Sequence, residues 1–117
     1  MPAEVISRKN AQHYTWGTGC DGWFLVRTPD LNMLEEQMPP GTSEVRHHHQ
    51  RARQFFFVLE GELTLEIEHQ VFSLLKGDGI EIVPGQAHQA INRSASTVRF
   101  LVTSQPPSHG DRIESGG

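Results

Sequence analysis

The sequence predicts an all-β domain, and three observations carry that reading. Short runs of β-branched and aromatic residues alternate with Gly, Pro and Asp punctuation along most of the chain. Helical periodicity is almost absent: only residues 31–38 (LNMLEEQM) have a helix-forming composition, and they alternate equally well as a strand. The length, 117 residues, predicts a single domain large enough to bury a core.

The elements follow in order. Residues 1–22 read as an N-terminal arm that ends in a break at Gly17, Gly19 and Asp21-Gly22. Residues 23–27 form a strand stopped by Pro29-Asp30, and residues 31–38 run up to Pro39-Pro40-Gly41. The apolar run 55–59 is a strand buried on both faces, closed by Glu60-Gly61. In 63–67, Leu63, Leu65 and Ile67 alternate with Thr64 and Glu66, the pattern of a half-buried strand. His69-Gln70 turns the chain into 71–75, and Gly77-Asp78-Gly79 and Pro84-Gly85 bracket 80–83. With 88–92 and 98–103 the count reaches about nine or ten short strands, which favours a sandwich or barrel over an α/β fold. From 106 to 117 the composition is Pro, Gly and polar, and predicts a loose tail, above all beyond Arg112.

Composition narrows the function. A net charge of −4 gives no basic footprint for nucleic acid. No apolar run has the length of a membrane span, and the first residues lack the apolar stretch of a signal peptide. The single cysteine, Cys20, excludes an intrachain disulfide, and a cytoplasmic protein is the expectation. Seven histidines is a high count for this length, and three of them are consecutive between arginines at mid-chain.

Strand periodicity sorts those histidines. Side chains alternate between faces, so His47 and His49 project together and His48 points away. His88 lies on a separate strand whose face continues through Ala90 to Asn92. Gln54 has the wrong parity for one unbroken strand with His49. The parity is restored if residues 50–53 (QRAR) form a hairpin loop and Gln54 opens the return strand, with Phe56 and Val58 on its face. Three imidazoles and an amide oxygen converging inside a barrel suit one divalent transition metal, whether Fe, Mn, Ni, Zn or Cu.

Two blocks here resemble the signature motifs of the cupin superfamily. In the first, Gly41 leads into His47 and His49, then Gln54 and Gly61; in the second, Gly77 is followed by Val83, Gly85, His88 and Asn92. The resemblance implies a double-stranded β-helix, or jelly-roll, barrel. It also implies metal ligation by His47, His49, Gln54 and His88, and a homodimer paired through sheet edges and apolar outer faces. Val83 stands where the family has proline and affects turn stiffness. Gln54 stands where it has glutamate: a neutral ligand leaves the metal a stronger Lewis acid toward an anionic, oxygen-rich ligand, and it cannot act as a base. A subset of small cupins with three histidines and one glutamine is similar, and one such group acts on unsaturated uronate sugars. The carboxylate that assists there on the final strand falls near Leu101 here, so that role does not carry over.

The resemblance therefore implies a metal site that chelates a small ligand, acidic or sugar-like, bearing neighbouring oxygens. Two chemistries compete: isomerisation or tautomerisation, and dioxygenation. The alternatives are a non-catalytic metal-dependent small-molecule or sugar binding protein, or a pathway accessory subunit. No catalytic residue is assigned. Phe56, Val58, Arg99 and Thr103 are the pocket candidates. Arg99 alternates with Leu101 and Thr103 against Val98, Phe100 and Val102; turned inward it would clamp a carboxylate or phosphate, turned outward it is a surface residue. Arg46, Arg51 and Arg53 either form a patch that steers acidic substrates or balance an acidic surface. Tyr14, Trp16 and Trp23 cap the barrel mouth, form a dimer contact or simply pack, and Asn92 secures a turn. His13, His69 and His109 have no supporting constellation, and Cys20, next to Asp21, has no nucleophilic setting.

Overall fold

Alternation decides which side of each strand is buried, and the buried sides define the two sheets. The computed structural model describes residues 2–116 as eleven strands, with no helix among them. They are β1 (Gln12–Trp16), β2 (Cys20–Arg27), β3 (Asn32–Met38), β4 (His47–His49), β5 (Arg53–Glu60), β6 (Glu62–Ile67), β7 (Gln70–Leu75), β8 (Gly79–Ile82), β9 (His88–Ile91), β10 (Val98–Gln105) and β11 (Arg112–Glu114). One sheet has the order β1-β2-β3-β10-β5-β8 and the other β11-β4-β9-β6-β7, and all pairs are antiparallel. This is the all-β double-stranded β-helix that the resemblance implies.

The core lies between the sheets. Phe56, Val58, Phe100 and Val102 of the first sheet meet Leu63, Leu65 and Ala90 of the second, all buried. On β10 the apolar set Val98, Phe100 and Val102 takes the interior, so Arg99, Leu101 and Thr103 fall on the outer face. Asn92 is fully buried: its amide donates to the carbonyls of Met38 and Ser96, both at 2.8 Å, and its oxygen accepts from the Ser94 backbone at 2.9 Å. It fastens a turn, as the sequence suggests. No helix is long and apolar enough to cross a membrane.

Asn32–Met38 is strand, one of the two readings the sequence leaves open, because Leu34 and Met38 are buried against the core at even spacing. Four expectations change. The N-terminal arm is not free beyond residue 11: β1 pairs with β2 as a hairpin and extends the first sheet. Phe55, at 45% exposed, shows that the 55–59 run is not buried on both faces. Residues 50–53 are not a hairpin loop, since β4 and β5 lie in different sheets; residues 50–52 carry the chain from one sheet to the other.

The C-terminal tail is the fourth change. Arg112–Glu114 pairs with β4, bringing Arg112 opposite His49 and Glu114 opposite His47. Just before it, the buried Asp111 carboxylate accepts from the backbone N–H groups of Gln50 at 3.1 Å and of Arg51 and Ala52 at 2.9 Å. Burial alone would raise this carboxyl, but those three donors outweigh it and hold it below the usual carboxylate range. A polar tail is thus ordered by hydrogen bonds rather than apolar burial. Asp111→Ala leaves three N–H groups without acceptors and is expected to destabilise the protein by about 2–4 kcal/mol in urea unfolding, with Asp111→Asn milder. Equal stability of wild type and Asp111→Ala would show that the crossover stands without its acceptor.

Candidate metal centre

A strand of three residues carries two of the histidines. His47 and His49 point inward and are buried, while His48 faces outward and bonds Ser115 Oγ at 2.7 Å. The neighbouring strand β9 sets His88 directly opposite His47. The ring centroids lie 4.4 Å apart for His47 and His88, 4.9 Å for His47 and His49 and 5.7 Å for His49 and His88. One nitrogen from each ring lies within 4.8 Å of the others. Gln54 comes from the opposite sheet through the crossover. Its Nε2 donates to Ser104 Oγ at 2.9 Å.

The hydrogen bonds prepare these groups as electron-pair donors. His47 Nδ1 lies 2.9 Å from the Val45 carbonyl and His88 Nδ1 3.0 Å from the Gln86 carbonyl. A carbonyl only accepts, so each Nδ1 carries the proton and each Nε2 keeps its lone pair. Among the described residues, His88 Nε2, His49 Nδ1 and Gln54 Oε1 are buried with no partner. Clustered acceptors without donors are costly, and a divalent cation relieves them, so the residues fit a metal. Burial pushes His47 down to about 3 and His88 to about 4, and it lowers His49 as well. All three are neutral at physiological pH, the state that ligation requires.

The site opens into a cavity of about 490 Å³ lined by His47, His49, Gln54 and Phe56, and its walls include two carboxylates. Glu36 lies on β3, on the face of Leu34 and Met38. Burial raises it to about 7, against the lowering effect of Tyr14 and Arg112. Tyr14 donates to Glu36 Oε2 at 2.6 Å, and burial followed by that carboxylate drives the phenol upward. Their contact depends on Gly22, which pairs with Tyr14 on one side and Glu36 on the other: a Cβ at Gly22 would lie 2.2 Å from the Tyr14 ring. Glu44 is raised to about 8 by burial, against the Ala90 N–H it accepts at 2.9 Å. Its other oxygen lies 3.9 Å from both His47 Nδ1 and Arg112 Nη1.

The other sequence candidates fall elsewhere. Phe56 lines the cavity, with its ring centroid 6.3 Å from His88. Val58 is fully buried in the core and does not reach the cavity. Arg99 is turned outward and pairs with Glu35 at 3.0 Å, and Thr103 shares that outer face, so neither lines the cavity. Arg46 pairs with Glu66 at 2.7 Å and Arg53 pairs with Glu81, so of the two readings of these arginines the balancing of acidic side chains is the one these two follow. Tyr14 and Trp16 line the cavity, whereas Trp23 packs outside under Arg8. Cys20 is fully buried and its thiol is raised, chiefly by burial. Glu36, Glu44 and Arg112 escaped the sequence reading; the available signal for Glu36 was a charge on the apolar face of a strand.

The chain belongs to the cupin domain family, whose profile matches residues 34–104. An uncharacterised protein of Methanocaldococcus jannaschii is 30% identical over 81 residues, which are 68% of this chain and 65% of that protein. This chain therefore spans just under two thirds of its curated relative. The structure of KdgF from a Halomonas species superposes with a TM-score of 0.81 at 19% identity, covering 92% of this chain and 98% of that one. A cupin-superfamily sugar phosphate isomerase from Silicibacter pomeroyi superposes with a TM-score of 0.76 at 19% identity, covering 89% and 76%. Likeness at these identities shows the fold, and within that fold the three-histidine cluster suits a metal site.

The neutral histidines make a pH prediction. Unfolded, His88 titrates near 6.5; folded, it titrates near about 4. Between those values the unfolded chain binds more protons, so stability present above pH 6.5 is lost as pH falls. Urea unfolding of metal-free protein is expected to show wild type losing up to about 1.4 kcal/mol per pH unit relative to His88→Gln across that window. A difference independent of pH would mean that His88 is protonated in the fold.

Proposed function

We propose that this protein is a metal-dependent cupin that isomerises or tautomerises a small oxygen-rich metabolite. The observation that carries this reading is the placement of Glu36 and Glu44 in the same cavity as His47 and His49. His47, His49, Gln54 and His88 hold the metal in this reading, which, when bound, polarises a carbonyl of the ligand. Moving a double bond also needs a group that takes a proton from one atom and returns it to another. Glu36, near 7, holds and releases a proton at neutral pH, and Tyr14 fixes its orientation. Glutamine in the fourth ligand position cannot serve as that base, which leaves the role to the wall. Phe56 and Trp16 supply apolar surface that excludes water.

Elemental analysis is expected to find one equivalent of Fe, Mn, Ni, Cu or Zn, lost in His49→Ala. In D₂O, metal-loaded protein is expected to exchange carbon-bound hydrogen of hydroxy-ketone or uronate ligands without consuming oxygen. Glu36→Gln, which keeps the size and the Tyr14 contact, is expected to slow that exchange roughly 100-fold or more with metal content unchanged. Oxygen uptake that survives Glu36→Gln would assign dioxygenation instead, and binding without exchange or uptake would assign a binding protein.

We also propose a two-fold homodimer in the cytoplasm. Phe55 and Leu75, at 45% and 56% exposed, supply apolar surface that a second copy would cover. Mass measurement at micromolar concentration is expected to give twice the 13.1 kDa chain mass; a stable monomer removes the claim.

A further inference from the structure

Most of the arginines are tied to carboxylates. Arg8, Arg46, Arg53, Arg99 and Arg112 each lie within salt-bridge reach of a glutamate. Among the described residues, Arg27, Arg51 and Arg93 have no such partner, and the first two line one groove of about 390 Å³. The rest of its lining is His109, Thr28, Asn32 and prolines 29, 106 and 107, with no Asp or Glu. In a chain of net charge −4, two arginines without a carboxylate partner lining one hollow that has no Asp or Glu in its lining are unexpected from composition.

The groove is also ordered. The Arg27 guanidinium carbon sits 4.2 Å above the Phe24 ring, and its Nη1 donates to Gln12 Oε1 at 2.8 Å. His109 packs on the other flank of Phe24, at 5.9 Å between centroids. The Arg51 backbone is held by the Asp111 carboxylate at 2.9 Å. Prolines stiffen the walls. Little ordering therefore remains to be supplied by a ligand. Asn32, at 3% exposed, lines the groove, and its Oδ1 has no partner among the described residues. A buried carbonyl oxygen asks for a donor, such as a hydroxyl.

We propose that this groove is a binding subsite for an oxyanion, a carboxylate or a phosphate monoester, carried on a hydroxylated ligand. Guanidinium groups recognise such oxyanions through paired N–H donors, and Asn32 Oδ1 accepts from the neighbouring hydroxyl. The groove and the metal cavity share Arg27 and His109 as a common wall. On the floor, Asn32 pairs with Ser104, and Ser104 with Gln54, so one row of the sheet links groove to metal centre. The inference deepens the functional reading above and rests on it for the ligand that spans both hollows; the oxyanion site itself does not require a metal.

The test is an NMR titration of inorganic phosphate, and separately of acetate, into metal-free and metal-loaded protein, following the arginine Nε–H resonances against matched chloride. Saturable shifts at Arg27 and Arg51 in both forms are expected, weakened roughly tenfold or more by Arg51→Gln, which is exposed and leaves the fold intact. The tighter of the two anions identifies the head group. Glycerol 3-phosphate is expected to bind more tightly than inorganic phosphate if phosphate is preferred, and glycerate more tightly than acetate if carboxylate is. Shifts no larger than those with chloride, or affinity unchanged in Arg51→Gln, would overturn the subsite. Phosphate binding in a protein that takes up no metal would sink the metal reading and keep the subsite; metal uptake without phosphate binding would do the reverse.

Discussion

Three N–H groups, of Gln50, Arg51 and Ala52, converge on the carboxylate of Asp111, and the candidate metal centre depends on that convergence. The turn has to carry the chain from the sheet that holds His49 to the sheet that holds Gln54 within a few residues. A turn this tight cannot satisfy its own donors, and a buried donor left without an acceptor costs about 1–3 kcal/mol. The acceptor arrives from the far end of the chain. It brings β11 with it, and β11 then pairs along β4 with Arg112 opposite His49. The spacing between an imidazole on one sheet and an amide on the other is thus set by residues some 60 positions away in sequence.

Burial also explains why the carboxyls and the imidazoles of this region shift in opposite directions. The same low-dielectric volume that pushes His47 and His88 down pushes Glu36 and Glu44 up. At neutral pH the histidines are uncharged, Glu36 sits close to half protonated and Glu44 is mostly protonated. The cavity therefore minimises its own charge, and a divalent cation would be its largest local charge. Positive charge placed among the imidazoles favours the ionised form of any carboxyl in the cavity, so metal and proton occupancy are linked through the wall. Tyr14 restrains one of these carboxyls by direct donation, and Gly22 leaves the space for it to do so.

How much of this was legible in the sequence depended on whether a feature was periodic. The two-residue repeat correctly set His47 and His49 on one face and His48 on the other, and the glycine-punctuated blocks located His88 and Gln54. Parity alone could not separate a hairpin from a crossover after His49, because both restore Gln54 to the inner face; only long-range pairing distinguishes them. Arg99 was open because both sets on β10 contain apolar residues, and the interior went to Phe100 and Val102, which bury more apolar surface. Glu36 was legible in principle, as the charge between Leu34 and Met38. The short strand Arg112–Glu114 was not, since its order comes from a carboxylate acceptor and backbone pairing rather than from an apolar pattern.

The arginines show the same limit in electrostatic form. In sequence Arg46, Arg51 and Arg53 read as one cluster, but strand alternation and the crossover give them separate fates. Arg46 is drawn to Glu66 on the second sheet and Arg53 to Glu81 on the first, while Arg51, on the turn between, lines a groove with Arg27. Arg27 comes from the end of β2 and appeared in no basic run. Proximity in sequence therefore overstated one patch and hid another. Two like charges brought to one hollow repel each other, and each keeps its hydration cost low only while the hollow stays wet or an anion enters. The fold holds Arg27 rigidly on Phe24 despite that repulsion, beside a wall shared with the histidine cavity. An arginine held without counter-charge next to neutral imidazoles makes the two hollows complementary in the proposed reading: one would accept a cation, the other an anion, and a ligand with oxygens at both ends would satisfy both.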